Sequence, residues 1–116
     1  MATIRITNLR LRCIIGANDW ERDTKQDIII NCEINFDVSK SSVSDNLDDT
    51  IDYKTVTKEI ITAVESSEFF LIEKLGSMIL DIMCANKLVE TAHVIIDKPN
   101  ALRFADSVSV ELSRSN

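Results

Sequence analysis

Residues 26–38 read QDIIINCEINFDV, and an apolar side chain stands at every second position of this stretch. Side chains of a β-strand point alternately to its two faces, so a period of two indicates a strand with one buried face. We therefore predict a long strand here, and the rest of the fold is worked out from it. The alternating apolar set is Ile28, Ile30, Cys32, Ile34 and Phe36.

A second alternating stretch, residues 3–15, comes before this strand in the chain. Its apolar positions change parity near Asn8, which predicts a bulge or bend at that point. Consecutive strands usually lie side by side, so we expect the two strands to form an antiparallel pair. The polar stretch between them, residues 16–25, is predicted to be a connection.

The second half of the chain adds two helices and two more strands. Apolar residues recur at helical spacing from Tyr53, with Asp52 as the predicted N-cap, and again from Leu71. Alternation returns in a strand that ends near Lys98 and in residues 107–112. The order β-β-α-α-β-β predicts an α+β fold, with a four-stranded antiparallel sheet and both helices on one face. Residues 1–116 are expected to form a single domain.

Composition excludes several classes of binding site. The chain has two glycines, Gly16 and Gly76, which are too far apart for a Walker-type phosphate loop or a dinucleotide fingerprint. Its net charge of −6 argues against a nucleic-acid partner. Three cysteines and one histidine, without metal-ligand spacing, predict free thiols and no metal site. No apolar run is long enough for a signal peptide or a membrane span, so we expect a cytoplasmic protein.

Four side chains near structural boundaries are candidates for chemistry, although each has an ordinary structural interpretation as well. Glu21 lies in the connection after Gly16, where a solvated carboxylate is common. Glu73 lies in the first turn of the second predicted helix, where the helix dipole favours a carboxylate. Lys98 precedes the only proline and could be a rim lysine. Tyr53, the only tyrosine, begins the first helix.

Five short segments resemble the dihydroneopterin aldolase family, and together they extend over nearly the whole chain. The resemblance implies the tunnelling fold (T-fold), in which subunits assemble into a ring-like barrel. It further implies a tetrameric ring, an octamer of two such rings, and active sites between subunits that bind a pterin. The segments are IRITNLRLR (residues 4–12), DWE (19–21), DY (52–53), LIEKL (71–75) and IDK (96–98).

Within the family, residues 96–108, IDKPNALRFADSV, resemble the branch that inverts C2′ of dihydroneopterin triphosphate. This resemblance implies an isomerase that works by a retro-aldol step followed by re-addition. An alternative is a lyase that releases glycolaldehyde from dihydroneopterin. Another is a non-catalytic T-fold protein that only binds a purine or a pterin.

The resemblance also implies roles for individual residues. Lys98 would be the general acid/base, Glu21 would assist it, and Tyr53 would come from a neighbouring subunit. Glu73 would anchor the pterin ring through paired hydrogen bonds. No cofactor and no metal is expected, because the conjugated C=N group of the dihydropterin absorbs the electrons of the broken bond. Further substrate contacts are expected from Ile51, Leu71 and Ile72. Several cationic side chains are candidates for a triphosphate contact, and Arg103 is the first of them because it lies on the same connection as Lys98. The other candidates are Arg5, Arg10, Arg12, Lys25 and Lys98 itself.

Overall fold

The computed structural model describes all residues from 1 to 116. Five strands and two long helices make up most of the chain, together with one short helix and two 3-10 turns. The strands are β1 (Ala2–Ile15), β2 (Gln26–Phe36), β3 (Glu68–Phe69), β4 (Val89–Pro99) and β5 (Ser107–Ser115). The helices are α1 (Ser41–Ser44), α2 (Tyr53–Glu65) and α3 (Ile72–Met83), and the 3-10 turns are Asp19–Arg22 and Leu47–Asp49.

The sheet has the strand order β3-β1-β2-β4-β5. The four long strands pair in antiparallel fashion, as the alternation predicted, and β1 and β2 are neighbours. The difference from the expected four-stranded sheet is β3, a two-residue strand that pairs in parallel with the end of β1. Glu68 and Phe69 have no alternating pattern, so only their contact with Ile14 and Ile15 makes them a strand.

The predicted irregularity in β1 is confirmed. The register with β2 shifts between Ile6 and Leu9, and Asn8 has a φ of 54°. Asparagine adopts this left-handed conformation more readily than most residues because its short polar side chain bonds locally. Here the Asn8 N–H donates to Asn31 Oδ1 at 2.9 Å. The bulge lets both halves of β1 direct their apolar side chains to the same face of the sheet.

Both long helices cover one face of the sheet and share its core. Asp52 caps α2 as predicted, because its side chain accepts a hydrogen bond from the Lys54 N–H at 3.1 Å. Residues 39–52, which join β2 to α2, include α1 and a 3-10 turn. Neither long helix has the length and apolar character that crossing a bilayer would require. The helices contribute Ile60, Val64, Leu75, Ile79, Leu80 and Met83 to the buried cluster.

The second glycine serves packing. A Cβ at Gly76 would come within 2.7 Å of Leu112 Cδ1, so α3 approaches the sheet closely at this point. All three cysteines are free, as expected; Cys13 and Cys32 are buried, and Cys84 is half-buried.

Candidate active site

A buried ion pair lies at one end of the sheet. Lys98 Nζ, near the end of β4, donates to Glu21 Oε2, and only 8% of Lys98 and 3% of Glu21 is exposed. A charge removed from water is costly unless it is paired and hydrogen-bonded, so buried pairs of this kind are uncommon. The two residues are 77 positions apart in the chain. The pairing of β1, β2 and β4 brings them together in space.

Every oxygen of the Glu21 carboxylate has a donor. Oε1 accepts the Asn18 side-chain amide at 2.7 Å and the Asn18 backbone N–H at 3.2 Å. Oε2 accepts Gln26 Nε2 at 2.9 Å in addition to Lys98. Gln26 is itself held in place, because its Nε2 also donates to the Ile15 carbonyl at 2.6 Å. The carboxylate is therefore fixed by the connection on one side and by β2 on the other.

Gly16 is the residue that leaves room for this carboxylate. Its φ is 130°, a conformation that residues with a side chain rarely adopt. A Cβ at this position would overlap the Glu21 carboxylate. Backbone conformation and space therefore both require glycine where the connection begins.

The hydrogen bonds determine the charge state of Glu21. Burial by itself raises the pKa of this carboxyl, but bonds from Lys98, Gln26 and the Asn18 N–H outweigh burial and lower the pKa to about 2. Glu21 is thus an anion throughout the neutral range. Such a group is suited to orienting the Lys98 ammonium, rather than to exchanging protons near pH 7.

The start of α3 lies at the same end of the sheet. This helix runs antiparallel to β4. Its early residue Gly76 packs near Ile96, towards the end of β4. Asp81, further along the helix, pairs with Arg114 of β5, which lies beside the start of β4. Glu73 is exposed in its first turn. Together with Leu71 and Ile72 it lies at what we call the ion-pair end, which comprises Glu21, Gln26, Lys98 and the start of α3.

The N-terminus of α3 has no side-chain cap. Leu71 occupies the N-cap position with φ −115° and ψ 138°, and its side chain has no polar atom to offer. Ser67, the nearest serine before the helix, is engaged elsewhere, because its hydroxyl donates to the Val64 carbonyl at 2.6 Å. The first N–H groups of the helix therefore remain available to a ligand.

Tyr53 and Ile51 lie at the opposite end of the sheet, the tyrosine end, beside Phe36 and Ile4. They line a cleft of about 450 Å³ there, in which Ile51 is buried and Tyr53 is 57% exposed. The strand β2 joins the two ends and has 11 residues, which corresponds to roughly 33 Å at about 3.3 Å per residue. A single chain therefore does not bring Tyr53 to Lys98.

Arg103 is not in contact with the ion pair. It lies on the exposed connection between β4 and β5, with its guanidinium carbon 5.7 Å from the centre of the Phe104 ring. It forms no salt bridge within the chain.

Three residues of this end, Asn18, Arg22 and Gln26, were not identified as site residues from the sequence. Asn18 had a recognisable signal, because the spacing Asn18-x-x-Glu21 is typical of a capping box. Arg22 had none, since its partners are backbone carbonyls of residues distant in the chain.

Comparison with known proteins agrees with this geometry. Residues 4–113 match the family model described as dihydroneopterin aldolase (FolB). The chain is 48% identical over 112 residues to the dihydroneopterin triphosphate 2'-epimerase of Escherichia coli (strain K12), covering 97% of this chain and 93% of that protein. It is 26% identical over 116 residues to the dihydroneopterin aldolase of the same organism, covering 100% of this chain and 95% of that protein.

Among solved structures, E. coli dihydroneopterin aldolase in complex with neopterin superimposes with a TM-score of 0.91 at 25% identity. The superposition covers 99% of this chain and 100% of that one. The α+β architecture, with its curled antiparallel sheet and helices on one face, is thus the T-fold of these proteins. The sequence match and the shared architecture together show that this chain belongs to the dihydroneopterin aldolase family.

Proposed function

We propose that this protein inverts C2′ of 7,8-dihydroneopterin triphosphate and so forms dihydromonapterin triphosphate. The observation that carries the chemistry is the buried Glu21–Lys98 pair, which faces the same end of the sheet as the start of α3. The relationship to the epimerase, stronger than that to the aldolase, favours inversion over release of the aldehyde.

The pterin ring is held at the start of α3 in this proposal. Glu73 accepts paired hydrogen bonds from a ring N–H and the exocyclic amino group, a geometry that a carboxylate matches with both oxygens. The uncapped backbone N–H groups after Leu71 donate to acceptors on the ring, and the positive end of the helix dipole attracts the Glu73 carboxylate. Leu71 and Ile72 contact the ring face.

Lys98 carries the proton transfers. As the C1′–C2′ bond breaks, the C2′ hydroxyl gives its proton to the Lys98 amino group and the fragment containing C2′ becomes an aldehyde. The bonding electrons pass into the ring C=N group, whose nitrogen takes up a proton from water, so that the ring becomes an enamine; re-addition reverses both proton transfers. The anionic Glu21 accepts a hydrogen bond from Lys98 and so holds the amino group at a defined position, from which it takes the proton as a free amine and returns it as an ammonium. Re-addition to the opposite face of the retained aldehyde inverts C2′, whereas its loss gives the aldolase reaction.

A neighbouring subunit completes the site. Tyr53 and Ile51 lie at the tyrosine end of their own chain, so in this proposal they reach Lys98 only from a second copy. The free edges of β1 and β5 support such an assembly. The strand β1 is covered by β3 only at Ile14 and Ile15, and β5 has no partner on its outer side. Pairing of these edges between copies would close a ring, and two tetrameric rings would form an octamer.

The test uses two substrates in separate reactions, dihydroneopterin and its triphosphate. After the reaction, the C2′ configuration of the pterin is determined chromatographically, and the released aldehyde is trapped and measured. We expect inversion of the triphosphate with little free aldehyde. Aldehyde release from dihydroneopterin as the faster reaction would make the protein an aldolase. Binding of both pterins without turnover would leave only a binding protein.

The oligomer is tested separately by native mass spectrometry, which should give eight times the 13.1 kDa of the chain. A monomeric mass at micromolar concentration would contradict a site shared between subunits. The cytoplasmic location expected from the sequence stays a prediction.

A further inference from the structure

Arg22 follows the buried Glu21 directly, and its side chain contacts three backbone carbonyl groups. Nη1 donates to the Gly16 carbonyl at 2.9 Å and to the Phe69 carbonyl at 2.9 Å, while Nη2 donates to the Glu68 carbonyl. The guanidinium carbon also lies 3.9 Å from the centre of the Phe70 ring, a distance typical of a cation–π contact.

These contacts connect two segments that are far apart in the chain. Gly16 begins the connection that carries Glu21. Glu68 and Phe69 form β3, which leads through Phe70 and Leu71 directly into the first turn of α3. A single side chain is thus bonded both to the segment that positions the ion pair and to the segment that ends at Glu73.

The chemistry of this contact requires arginine. Its planar fork can donate to several carbonyl oxygens at once while one face stacks on an aromatic ring. Lysine carries a compact charge on a flexible stem and cannot provide the fork and the flat face together. Arg22 forms no salt bridge with a carboxylate, so its donors are directed to the backbone of the two segments.

Phe70 has a role in this arrangement as well. It is 61% exposed and directly precedes Leu71, which occupies the N-cap position of α3 without a side-chain cap. A large exposed ring at an uncapped helix start is unfavourable unless it gains a contact. Here the ring stacks against Arg22 and helps to fix the path of the chain into α3.

We propose that Arg22 is a positioning residue of the active site, which holds the start of α3 at a fixed distance from the Glu21–Lys98 pair. This inference rests on the proposed function. Ring binding does not require Lys98, whereas turnover depends on the distance between the ring and Lys98. Loss of Arg22 should therefore lower kcat much more than it weakens binding of an unreactive pterin.

The principal test is Arg22→Ala in the full-length protein, assayed for kcat with the triphosphate and for the Kd of neopterin. Misplacement of a reacting group by about 1 Å costs up to 100-fold in rate, so we expect kcat to fall about tenfold to 100-fold. The Kd of neopterin should change less than about threefold. Arg22→Lys should stay closer to the alanine variant than to the wild type, because lysine lacks the fork.

Arg114→Ala is the matched control. Arg114 is also half-buried and also bonded to α3, through Asp81 and Ser77, but it lies away from the ion pair. Loss of Arg114 should lower the Tm about as much as loss of Arg22 does, but it should leave kcat unchanged. Equal losses of kcat in the two variants would reduce Arg22 to a stabilising residue and overturn the proposal, as would a wild-type kcat in Arg22→Ala.

Phe70→Ala keeps the carbonyl bonds and removes only the stack, so it applies even if Arg22→Ala does not fold. We expect kcat to fall about threefold with the Kd of neopterin preserved, since an exposed cation–π contact contributes about 0.5–1 kcal/mol. An unchanged kcat in this variant would contradict the proposal. A wild-type protein that converts neither substrate would instead disprove the proposed function. Because that measurement uses no variant, it distinguishes failure of the proposed function from failure of the role of Arg22.

Discussion

The two ends of the sheet differ in how completely they are assembled within one chain. At the ion-pair end, the Glu21 carboxylate has a donor for each oxygen, and Lys98 is nearly removed from water. At the tyrosine end, Tyr53 is mostly exposed beside an open cleft. One end is rigid and charged before any ligand arrives, and the other presents an aromatic side chain without a partner. In the proposed assembly, the chain therefore carries two complementary halves of a site rather than one whole site.

The strongest test of this difference between the two ends is to inactivate each end in a different chain. Lys98→Ala should lower kcat about 100-fold to 10,000-fold while neopterin still binds, and Tyr53→Ala should also lower kcat. When the two variants are unfolded together and refolded as a mixture, about a quarter of the sites regain both native groups if each site uses two chains. Activity should then rise toward a quarter of the wild-type value.

Two controls make the mixing experiment decisive. Lys87→Ala, which removes an exposed lysine of the loop before β4 that does not line the Tyr53 cleft, should retain full activity. Each variant refolded alone should stay inactive. A mixture no more active than its components would show that Tyr53 and Lys98 do not act across a subunit boundary.

The rigidity of the ion-pair end can be tested at Gly16. Gly16→Ala places a methyl group on the Glu21 carboxylate in a backbone conformation unfavourable for alanine. We expect a loss of about 2–3 kcal/mol in unfolding free energy and a lower kcat. Gly76→Ala, the other glycine, should cost a similar amount through contact with Leu112 but leave kcat unchanged. Urea unfolding and steady-state kinetics on both variants distinguish the two effects.

Acid should weaken the ion-pair end selectively. The pKa of Glu21 is about 2 in the folded chain against an ordinary value of 4.5, because the hydrogen bonds from Lys98, Gln26 and Asn18 outweigh burial. A carboxyl with a depressed folded pKa stabilises the fold above its unfolded pKa, and this contribution is lost as pH falls toward the folded pKa. Between about pH 4.5 and pH 2, the wild type should lose on the order of 2 kcal/mol relative to Glu21→Gln.

The measurement is the unfolding free energy of both proteins in urea across that pH range. Asp27→Asn, which removes an exposed carboxylate from its pair with Arg12, is the control and should show no comparable change. A constant difference between wild type and Glu21→Gln down to pH 2 would refute the assigned charge state.

The smallest expected effect concerns Arg103. It lies on the loop that follows Lys98, is exposed, and has no carboxylate partner. If it contacts the phosphates, Arg103→Ala should weaken binding of the triphosphate about fivefold, the value of an exposed charge pair near 1 kcal/mol. Binding of unphosphorylated dihydroneopterin should not change. Equal changes for both ligands would remove Arg103 from the phosphate site.

Local patterns predicted most of the fold. The alternation in β1 and β2, the bulge at Asn8 and the cap at Asp52 all depend on residues close together in the chain, so the sequence contains their signal. The parallel pairing of β3 could not be predicted in this way. Two residues have no periodicity, and their strand exists only because the chain returns to Ile14 and Ile15.

The candidate site, like the fold, could be predicted from the sequence only in part. The family resemblance indicated Glu21 and Lys98, but the residues themselves did not predict that Glu21 would be buried. Its burial depends on Lys98, 77 positions away, and on space left by Gly16. Arg22 gave no signal because backbone carbonyls are present at every position, and nothing in the sequence marks which of them it will contact.

The buried thiols provide a way to follow how this protein opens. Cys13 is fully buried near the ion-pair end, and Cys32 is 3% exposed in the middle of β2. Burial raises the pKa of both, for Cys32 to about 12, so neither reacts as a thiolate while the sheet is closed. The rate at which a thiol reagent labels each cysteine therefore measures the local opening of the sheet around that cysteine. Modification of Cys13 reports on the edge of the sheet and that of Cys32 on its centre, without any engineered probe.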